Sequence, residues 1–288
     1  MIAHTEESGS SATYVRFWGV RGSVGVAGPG TVIYGGHTSC IDIRAAGRRF
    51  IVDAGTGIVP LGMAADAKPG DHFDILLTHL HHDHVLGLML FAPLFVKGVT
   101  VDIYCGNLGG RSAEEDLRCM FSPPLFPLTF DRLPSKVRFI GFSAGEMLSI
   151  GGVDIHTCPL NHPDGATGYR MGEGSRAVAV LTDMEHEGDA AEPAPELVDF
   201  CRGAGVIVYD ATFDVNDYPK YRGWGHSTWQ AGVALARAAS VPQLVCFHHA
   251  PEYDDERIAR MEADLKSAFA GGYFAREGQT VHLDAKPD

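Results

Sequence analysis

The sequence predicts an α/β fold of four layers, in which two β-sheets pack face to face and helices cover their outer faces. Strand-like segments dominate the first half of the chain and recur in the second, with helical segments between them. Neither a repeat nor a linker-like stretch divides the 288 residues, a length that suits one large α/β domain. Sheets and helices of this kind bury their apolar faces as stacked layers. We therefore expect one domain at residues 13–288, preceded by a disordered polar tail at residues 1–12.

Individual elements follow from local composition. The apolar run at 85–95 predicts a buried helix that Asp83 could cap, and 111–120 predicts a short helix. The acidic stretch 185–196 holds prolines and is expected to be a loop. Helices are expected at 227–239, which starts with a capping hydroxyl, and at 254–270, which ends at two glycines. Short β-rich segments between turns predict strands at 14–18, 39–44, 49–52, 72–77, 99–104, 137–142, 153–159, 177–181, 206–209 and 244–247.

Composition narrows the classes of partner. A formal net charge of −13 repels phosphate backbones, so nucleic acid is not the expected partner. The first residues lack a basic start and an apolar core like those of a signal peptide, and no apolar run reaches the length of a membrane span. None of the six cysteines forms a Cys-x-x-Cys pair, which fits a reducing compartment. We expect a cytoplasmic protein without a membrane partner, and a homodimer is compatible with the sequence.

The segment Thr78-His79-Leu80-His81-His82-Asp83-His84 directly follows a predicted buried strand. Imidazoles at His79 and His81, followed by a carboxylate and the His84 imidazole, converge if the chain turns sharply between strand and helix. Neutral imidazoles and carboxylates together suit zinc, and also manganese or iron. The alternative interpretation is a histidine-rich surface loop.

The pattern His-x-His-x-Asp-His resembles the signature of the metallo-β-lactamase superfamily. That resemblance implies an αββα sandwich and two divalent metal ions, with zinc as the expected metal. Further ligands that the family uses are matched in Asn161-His162-Pro163, Leu181-Thr182-Asp183 and Phe247-His248-His249. The resemblance implies one ion held by His79, His81 and His162, a second held by Asp83, His84 and His248, and Asp183 between them.

Some of these matches leave alternatives. His162 could be a turn residue before Pro163, with the mid-strand His156 as its rival. Asp183 could start a turn. His248 competes with His249, and its place directly at the strand end favours it.

Three segments are similar to the ribonuclease Z and small phosphodiesterase branch of the superfamily. They are Gly168-Tyr169-Arg170, Tyr209-Asp210-Ala211-Thr212-Phe213 and Gly225-His226-Ser227-Thr228. The resemblance implies that Asp210 pairs with His226. The sequence departs from ribonuclease Z where Tyr209 and Asp210 replace His and Glu and where Thr182 replaces Gly, so the shorter Asp210 puts the pairing distance in question. Ser227 and Thr228 could equally be helix N-caps.

Two N-terminal residues are further candidates. Asp53, in Val52-Asp53-Ala54-Gly55, matches an aspartate that orients metal ligands in the family, and it could instead be a turn residue. Arg21 is a candidate phosphate contact, although a surface ion pair is the commoner fate of a single arginine.

Together these resemblances imply a metal-dependent hydrolase, with a small (cyclic) phosphodiester as the expected substrate. Asp83, His226 and Asp210 are the predicted catalytic residues, with His226 giving a proton to the leaving alkoxide. The alternatives are a thioesterase or lactonase like glyoxalase II, a ribonuclease Z-like RNA endonuclease, and a binding module that has lost its chemistry. Ribonuclease Z grips tRNA with an extended arm, whereas the acidic segment 185–196 is short.

Overall fold

The computed structural model of the protein describes residues 12–106, 110–186, 188 and 192–283. The predicted tail at 1–12 lies outside the described residues, apart from Ala12. The chain forms two seven-stranded sheets. The first sheet contains β1 (Thr13–Gly19), β2 (Cys40–Ala45), β3 (Arg48–Val52), β4 (His72–Leu77), β5 (Thr100–Gly106), β6 (Lys136–Phe142) and β14 (Thr280–Leu283). The second contains β7 (Met147–Ile150), β8 (Val153–Leu160), β9 (Ala166–Met171), β10 (Val178–Leu181), β11 (Val206–Asp210), β12 (Gln243–Phe247) and β13 (Gly272–Phe274).

Each sheet is half antiparallel and half parallel. The spatial orders are β14-β1-β2-β3-β4-β5-β6 and β13-β12-β11-β10-β9-β8-β7. Strands β3 to β6 run parallel in the first sheet, and β10 to β13 run parallel in the second. The carboxyl ends of neighbouring parallel strands meet at one edge of a sheet, which is where open α/β sheets place their ligands. The predicted metal-binding segments follow β4, β10 and β12 at these ends.

Apolar side chains of the two sheets interleave to form the central core. Val15, Phe50 and Leu76 from the first sheet share one cluster with Val180 and Val208 from the second, and all five are buried. Alternate strand residues point to opposite faces, so each sheet also has an outer apolar face. Helices cover these outer faces, which confirms the predicted four-layer αββα sandwich.

The outer layers consist of short helices. α1 (Ile58–Ala64), α2 (His82–Val85) and α3 (Ala113–Met120) accompany the first sheet. The second sheet is covered by α4 (Pro195–Cys201), α5 (Trp229–Ala238) and α6 (Asp255–Ala268). The Thr228 hydroxyl caps α5 by accepting from Ala231 N, and the Asp254 carboxylate caps α6 by accepting from Arg257 N. Within the described residues, no helix is long and apolar enough to cross a membrane.

The prediction of one buried helix at 85–95 is wrong. Only α2 is α-helical there, and the rest forms 3₁₀ turns at Leu86–Leu90 and Ala92–Phe95. Pro93 lacks the N–H that an α-helix needs at that position. A Cβ at Gly87 would lie 2.0 Å from the carbonyl oxygen of Gly55. The two backbone segments are therefore too close together for a regular α-helix with side chains between them. Asp83 does not cap α2, because its carboxylate turns towards the histidine cluster instead.

Candidate metal centre

The ends of four strands converge on one cluster of imidazoles and carboxylates. His79 and Asp83 follow β4, His162 follows β8, Asp183 follows β10, and His248 follows β12. Asp183 and His248 have positive φ angles of 61° and 62°, a conformation that side chains other than glycine adopt rarely. Such backbone strain persists only where the surroundings fix it, and it concentrates at functional sites.

Asp183 lies between two groups of imidazoles. Its Oδ2 atom is 3.6 Å from Nε2 of His79 and 3.7 Å from Nε2 of His162, and His162 Nε2 is 3.1 Å from Nδ1 of His81. These four residues present ligand atoms within 4.8 Å of one another. Three imidazole nitrogens and one carboxylate oxygen are a suitable donor set for a divalent transition metal.

The other oxygen of Asp183 faces the second group. Oδ1 is 3.2 Å from Nε2 of His84 and 3.3 Å from Nε2 of His248. Oδ2 of Asp83 is 3.0 Å from the same nitrogen of His248 and 3.3 Å from that of His84. The structure therefore brings together all seven predicted ligand residues, with one carboxylate shared between the two groups.

The outward nitrogens of three imidazoles are tied to fixed acceptors. Nδ1 of His84 lies 2.7 Å from Oδ2 of Asp53, that of His162 lies 2.8 Å from the Gly225 carbonyl, and that of His248 lies 2.9 Å from the Thr212 hydroxyl. Donation to these acceptors places the proton on Nδ1 and leaves the Nε2 lone pair directed into the cluster. This is the tautomer that metal coordination requires.

The arrangement fits bound metal better than it fits a network of hydrogen bonds. Among the described residues, Nε2 of His79 is buried and has no hydrogen-bond partner. Burial lowers the pKa of His79 well below its ordinary value and also lowers the pKa of His81 and His162, so these imidazoles are neutral. Burial opposes charge on His84 as well, but the carboxylates of Asp183, Asp83 and Asp53 raise its pKa well above its ordinary value. The second group thus favours a positive charge, which a metal ion supplies.

Two of the open alternatives are distinguished by geometry. His249 is buried and its Nε2 donates to the carbonyl of Ala275, 2.9 Å away, so its ring is held outside the cluster that contains His248. His156 lies on an exposed position of β8, opposite Met147, while His162 lies in the cluster.

Asp210 and His226 are in direct contact at the edge of the cluster. Nδ1 of His226 lies 2.8 Å from Oδ2 of Asp210, so the shorter carboxylate does reach the imidazole. Asp210 is itself fixed, because its oxygens accept hydrogen bonds from the backbone N–H groups of Met184 and Thr212 and from the Thr212 hydroxyl. Burial disfavours the charged imidazole, but Asp210 and more distant carboxylates raise the pKa of His226 to about 9.

The structure gives different roles to the two remaining candidates, Asp53 and Arg21. Asp53 is fully buried and accepts from Ser39 Oγ at 2.9 Å and from Thr78 N at 2.8 Å besides its contact with His84. Arg21 is fully buried and has no acidic partner among the described residues; it donates instead to the carbonyls of Gly35, Ala250 and Tyr253. Both interpretations of Arg21 are therefore wrong, because a buried guanidinium whose donors face backbone carbonyls holds loops together.

Sequence reasoning missed several supporting groups. Ser23 donates its backbone N–H to Oδ2 of Asp83 at 2.7 Å. Thr212 connects Asp210 with His248 through one hydroxyl. A Cβ at Gly22 would lie 2.2 Å from the His248 ring, so this glycine lets the backbone pass close to the cluster. Only the Thr212 contact had a local signal, since an aspartate side chain often accepts from the backbone N–H two residues on, as Asp210 does from Thr212.

A cavity of about 380 Å³ opens onto the cluster. It is lined by Ser23, Leu80, His81, His82, Asp83, Asp183, His226 and His248. Both His226 and the shared carboxylate therefore border the same space, which is large enough for a small ester.

Comparison with known proteins decides the family. Residues 48–249 match the model of the beta-lactamase superfamily domain. The chain belongs to the metallo-β-lactamase superfamily. The histidine and aspartate cluster of this chain agrees with a metal-dependent hydrolase of this superfamily.

Similar proteins include a ribonuclease, a diphosphatase and a tRNase Z. Ribonuclease BN of Cronobacter sakazakii is 24% identical, over 81% of this chain and 88% of its own length. The structure is similar to that of a diphosphatase from the PhnP family, with a TM-score of 0.69, 18% identity and coverage of 96% and 100% of the two chains. It is also similar to the short form of human tRNase Z, with a TM-score of 0.63, 20% identity and coverage of 94% and 100%. At these identities the two structural comparisons establish the fold alone.

Proposed function

We propose that the protein is a dinuclear metallohydrolase that cleaves small phosphodiesters, cyclic ones in particular. His79, His81 and His162 would hold one ion, Asp83, His84 and His248 would hold the other, and Asp183, which faces both groups, would contribute to both sites. Zinc suits these donors, and manganese or iron could occupy them as well. When bound, such a pair of ions lowers the pKa of water and offsets the negative charge of a phosphodiester.

The observation that carries the proposal is the contact between His226 and Asp210. Nδ1 of His226 is held by the Asp210 carboxylate at 2.8 Å, which leaves Nε2 as the nitrogen available to the cavity that His226 lines. An alkoxide is a poor leaving group and needs a proton as the bond to phosphorus breaks. In the proposed reaction His226 donates that proton from Nε2, and Asp210 orients the ring and stabilises its charge. Asp83 would contribute to the reaction by binding the second ion through Oδ2, which lies close to both His84 and His248.

This pair also favours a phosphodiester over a thioester. A thiolate leaves readily without a proton donor, so a thioesterase like glyoxalase II has little use for a buried, carboxylate-paired imidazole beside its metals. The thioesterase or lactonase remains the alternative if diesters are not cleaved.

RNA is a second candidate substrate, because ribonuclease BN is similar over most of both chains. Two features of this protein favour a small diester instead. The segment between β10 and α4 spans only 182–194, and the chain carries a net charge of −13. Both features weaken the grip on a polyanion.

A side-by-side hydrolysis screen tests the proposal. Protein reconstituted with zinc or manganese is given bis(p-nitrophenyl) phosphate, a nucleoside 2′,3′-cyclic phosphate, a glutathione thioester, a homoserine lactone and a precursor tRNA. An Asp183→Asn preparation, purified identically, controls for contaminating enzymes. We expect the diesters to be cleaved fastest and the variant to be inactive on them. Faster cleavage of the tRNA, the thioester or the lactone than of any small diester would overturn the proposal.

A further inference from the structure

The cavity at the cluster offers a substrate few polar groups besides the proposed metal ligands. Four of its lining residues belong to the cluster, and His226 is the proposed proton donor. Leu80 has no polar side-chain atom, so Ser23 and His82 are the polar side chains that remain. Among the described residues, no lysine or arginine lines this cavity. A phosphoryl oxygen that needs a hydrogen bond here must therefore find it at Ser23 or His82.

Ser23 lies at the centre of a strained turn. Its φ angle is 61°, and across it the N–H of Val24 donates to the carbonyl of Gly22 at 2.7 Å. A hydrogen bond between residues two apart, around a positive φ angle, defines the rare and strained form of the γ-turn. Glycine adopts positive φ angles readily, whereas other residues keep them at a cost and mainly at functional sites. The presence of serine thus indicates a role for its side chain.

The turn holds Ser23 against the second group of ligands. Ser23 N donates to Oδ2 of Asp83 at 2.7 Å, and the same oxygen lies close to His84 and His248. Because bond lengths keep a serine hydroxyl within about 4 Å of its own backbone nitrogen, Oγ of Ser23 lies within about 7 Å of that carboxylate oxygen. The side chain is exposed to the cavity, and its hydroxyl has no hydrogen-bond partner among the described residues.

The backbone that enters the turn is fixed by the interior. Gly22 N donates to the carbonyl of His249 at 3.0 Å, and His249 N donates to the carbonyl of Val20 at 2.9 Å. The guanidinium of Arg21 adds three hydrogen bonds to backbone carbonyls. These contacts tie the turn to the residue that follows His248. Donors held on a fixed backbone are the kind that stabilise charge on a reacting group, since they need no rearrangement.

Building on the proposed phosphodiesterase function, we propose that Ser23 binds the substrate, its hydroxyl donating a hydrogen bond to a non-bridging oxygen of the phosphodiester. Its backbone N–H has a separate role, which is to orient Asp83. The two roles can be separated by experiment, because a substitution removes the hydroxyl and keeps the N–H. Arg21 then serves the site indirectly, since it fixes the backbone that presents Ser23.

Two substitutions at this one position isolate the hydroxyl. Ser23→Ala and Ser23→Gly both keep the N–H that binds Asp83, and Ser23→Gly also relieves the strain of the positive φ angle. Calorimetric titration of the zinc-loaded protein with inorganic phosphate should give a Kd raised about 10- to 150-fold in both variants, as the loss of one hydrogen bond to an anion predicts. Val24→Ala is the matched control, because Val24 is exposed beside Ser23 but does not line the cavity, and it should bind phosphate like the wild type.

Zinc affinity distinguishes substrate binding from support of the metal site. A competitive chelator titration should give the wild-type zinc affinity in both Ser23 variants, and Ser23→Gly should not lower the free energy of unfolding in urea. Wild-type phosphate affinity in Ser23→Gly would overturn the inference. So would a loss of zinc affinity in parallel with phosphate affinity, or a zinc-loaded wild type that binds no phosphate.

Phosphate binding also separates this inference from the proposed chemistry. Phosphate binding that depends on the Ser23 hydroxyl, in a protein that cleaves no diester, would support the contact and contradict only the phosphodiesterase proposal. Diester cleavage with the same KM in Ser23→Gly and in the wild type would contradict only the role of Ser23.

Discussion

Nδ1 of His84 lies 2.7 Å from Oδ2 of Asp53, and both side chains are completely inaccessible to solvent. Asp53 follows β3 directly and His84 belongs to α2, so this contact joins two elements through one buried hydrogen bond. The same carboxylate accepts from Ser39 and Thr78, which fixes its orientation before any metal binds.

Asp53→Asn should lower metal affinity by about 10–100-fold, because it removes the charged acceptor that orients His84. A competitive chelator titration measures the change. Asp42→Asn is the matched control, since Asp42 is equally buried but pairs with Arg49 away from the cluster. Wild-type affinity in Asp53→Asn would mean that Asp53 serves only the turn after β3.

Gly225 permits the loop to approach His162, and a matched glycine isolates this effect. Both Gly223 and Gly225 have φ of 84°, but an added Cβ at Gly225 would lie 2.3 Å from Nδ1 of His162, whereas one at Gly223 meets nothing within 4 Å. Gly225→Ala should therefore reduce bound metal, and Gly223→Ala should keep the full content at a similar backbone strain. Metal analysis of both variants decides the matter, and equal metal content in the two would contradict the role given to Gly225.

Arg21 is predicted to stabilise the fold without binding phosphate. Its guanidinium donates to three backbone carbonyls in the interior, and hydrogen bonds from a charged group contribute about 1.5–3 kcal/mol each. Arg21→Ala should lower the free energy of unfolding by at least about 3 kcal/mol, measured by urea denaturation. The exposed Arg222→Ala should change it by about 0.5 kcal/mol at most. A stable Arg21→Ala variant that inorganic phosphate inhibits more weakly would contradict this prediction and indicate that Arg21 binds phosphate.

His226 should matter in proportion to how badly the leaving group needs a proton. His226→Ala should cost about 10²–10⁴-fold in turnover of a nucleoside cyclic phosphate, whose alkoxide leaves poorly. The loss should be much smaller with bis(p-nitrophenyl) phosphate, because p-nitrophenolate leaves without protonation. Asp210→Asn should follow the same pattern more weakly. Turnover is compared at matched metal content, and equal losses on both substrates would show that His226 binds phosphate or supports the fold instead.

The sequence predicted the parts of this protein whose signals are local. The helices α5 and α6 were predicted from a capping hydroxyl at the start of the first, which the structure assigns to Thr228, and from the two glycines that follow the second. The helix α1 was missed because Pro60 and Gly62 lie within it, and both residues argue against a helix. It forms because Ile58 and Leu61 pack into the outer core of the first sheet, a tertiary effect that local propensity does not show.

The residues of the candidate site were likewise predictable from the sequence only where their signal is local. The segment from His79 to His84 was predicted as a metal site from the spacing of its residues. His162, Asp183 and His248 follow three separate strands that only the sheet topology brings together, so they were predicted through family resemblance. Arg21 was misjudged because an arginine bonded only to backbone carbonyls has no sequence signature. The position of the loop that contains Gly223 and Gly225 depends on hydrogen bonds to Glu185, almost forty residues away, which no local pattern reveals.

The central claim is that two metal ions share Asp183, and metal quantification tests it most directly. Protein stripped with a chelator, reconstituted with zinc or manganese and freed of excess metal should contain close to two ions per chain. Asp183→Asn should bind both ions more weakly, because Oδ2 faces one group of imidazoles and Oδ1 the other. Wild-type protein that holds no metal after reconstitution, or an Asp183→Asn variant that retains two ions with unchanged affinity, would contradict the account.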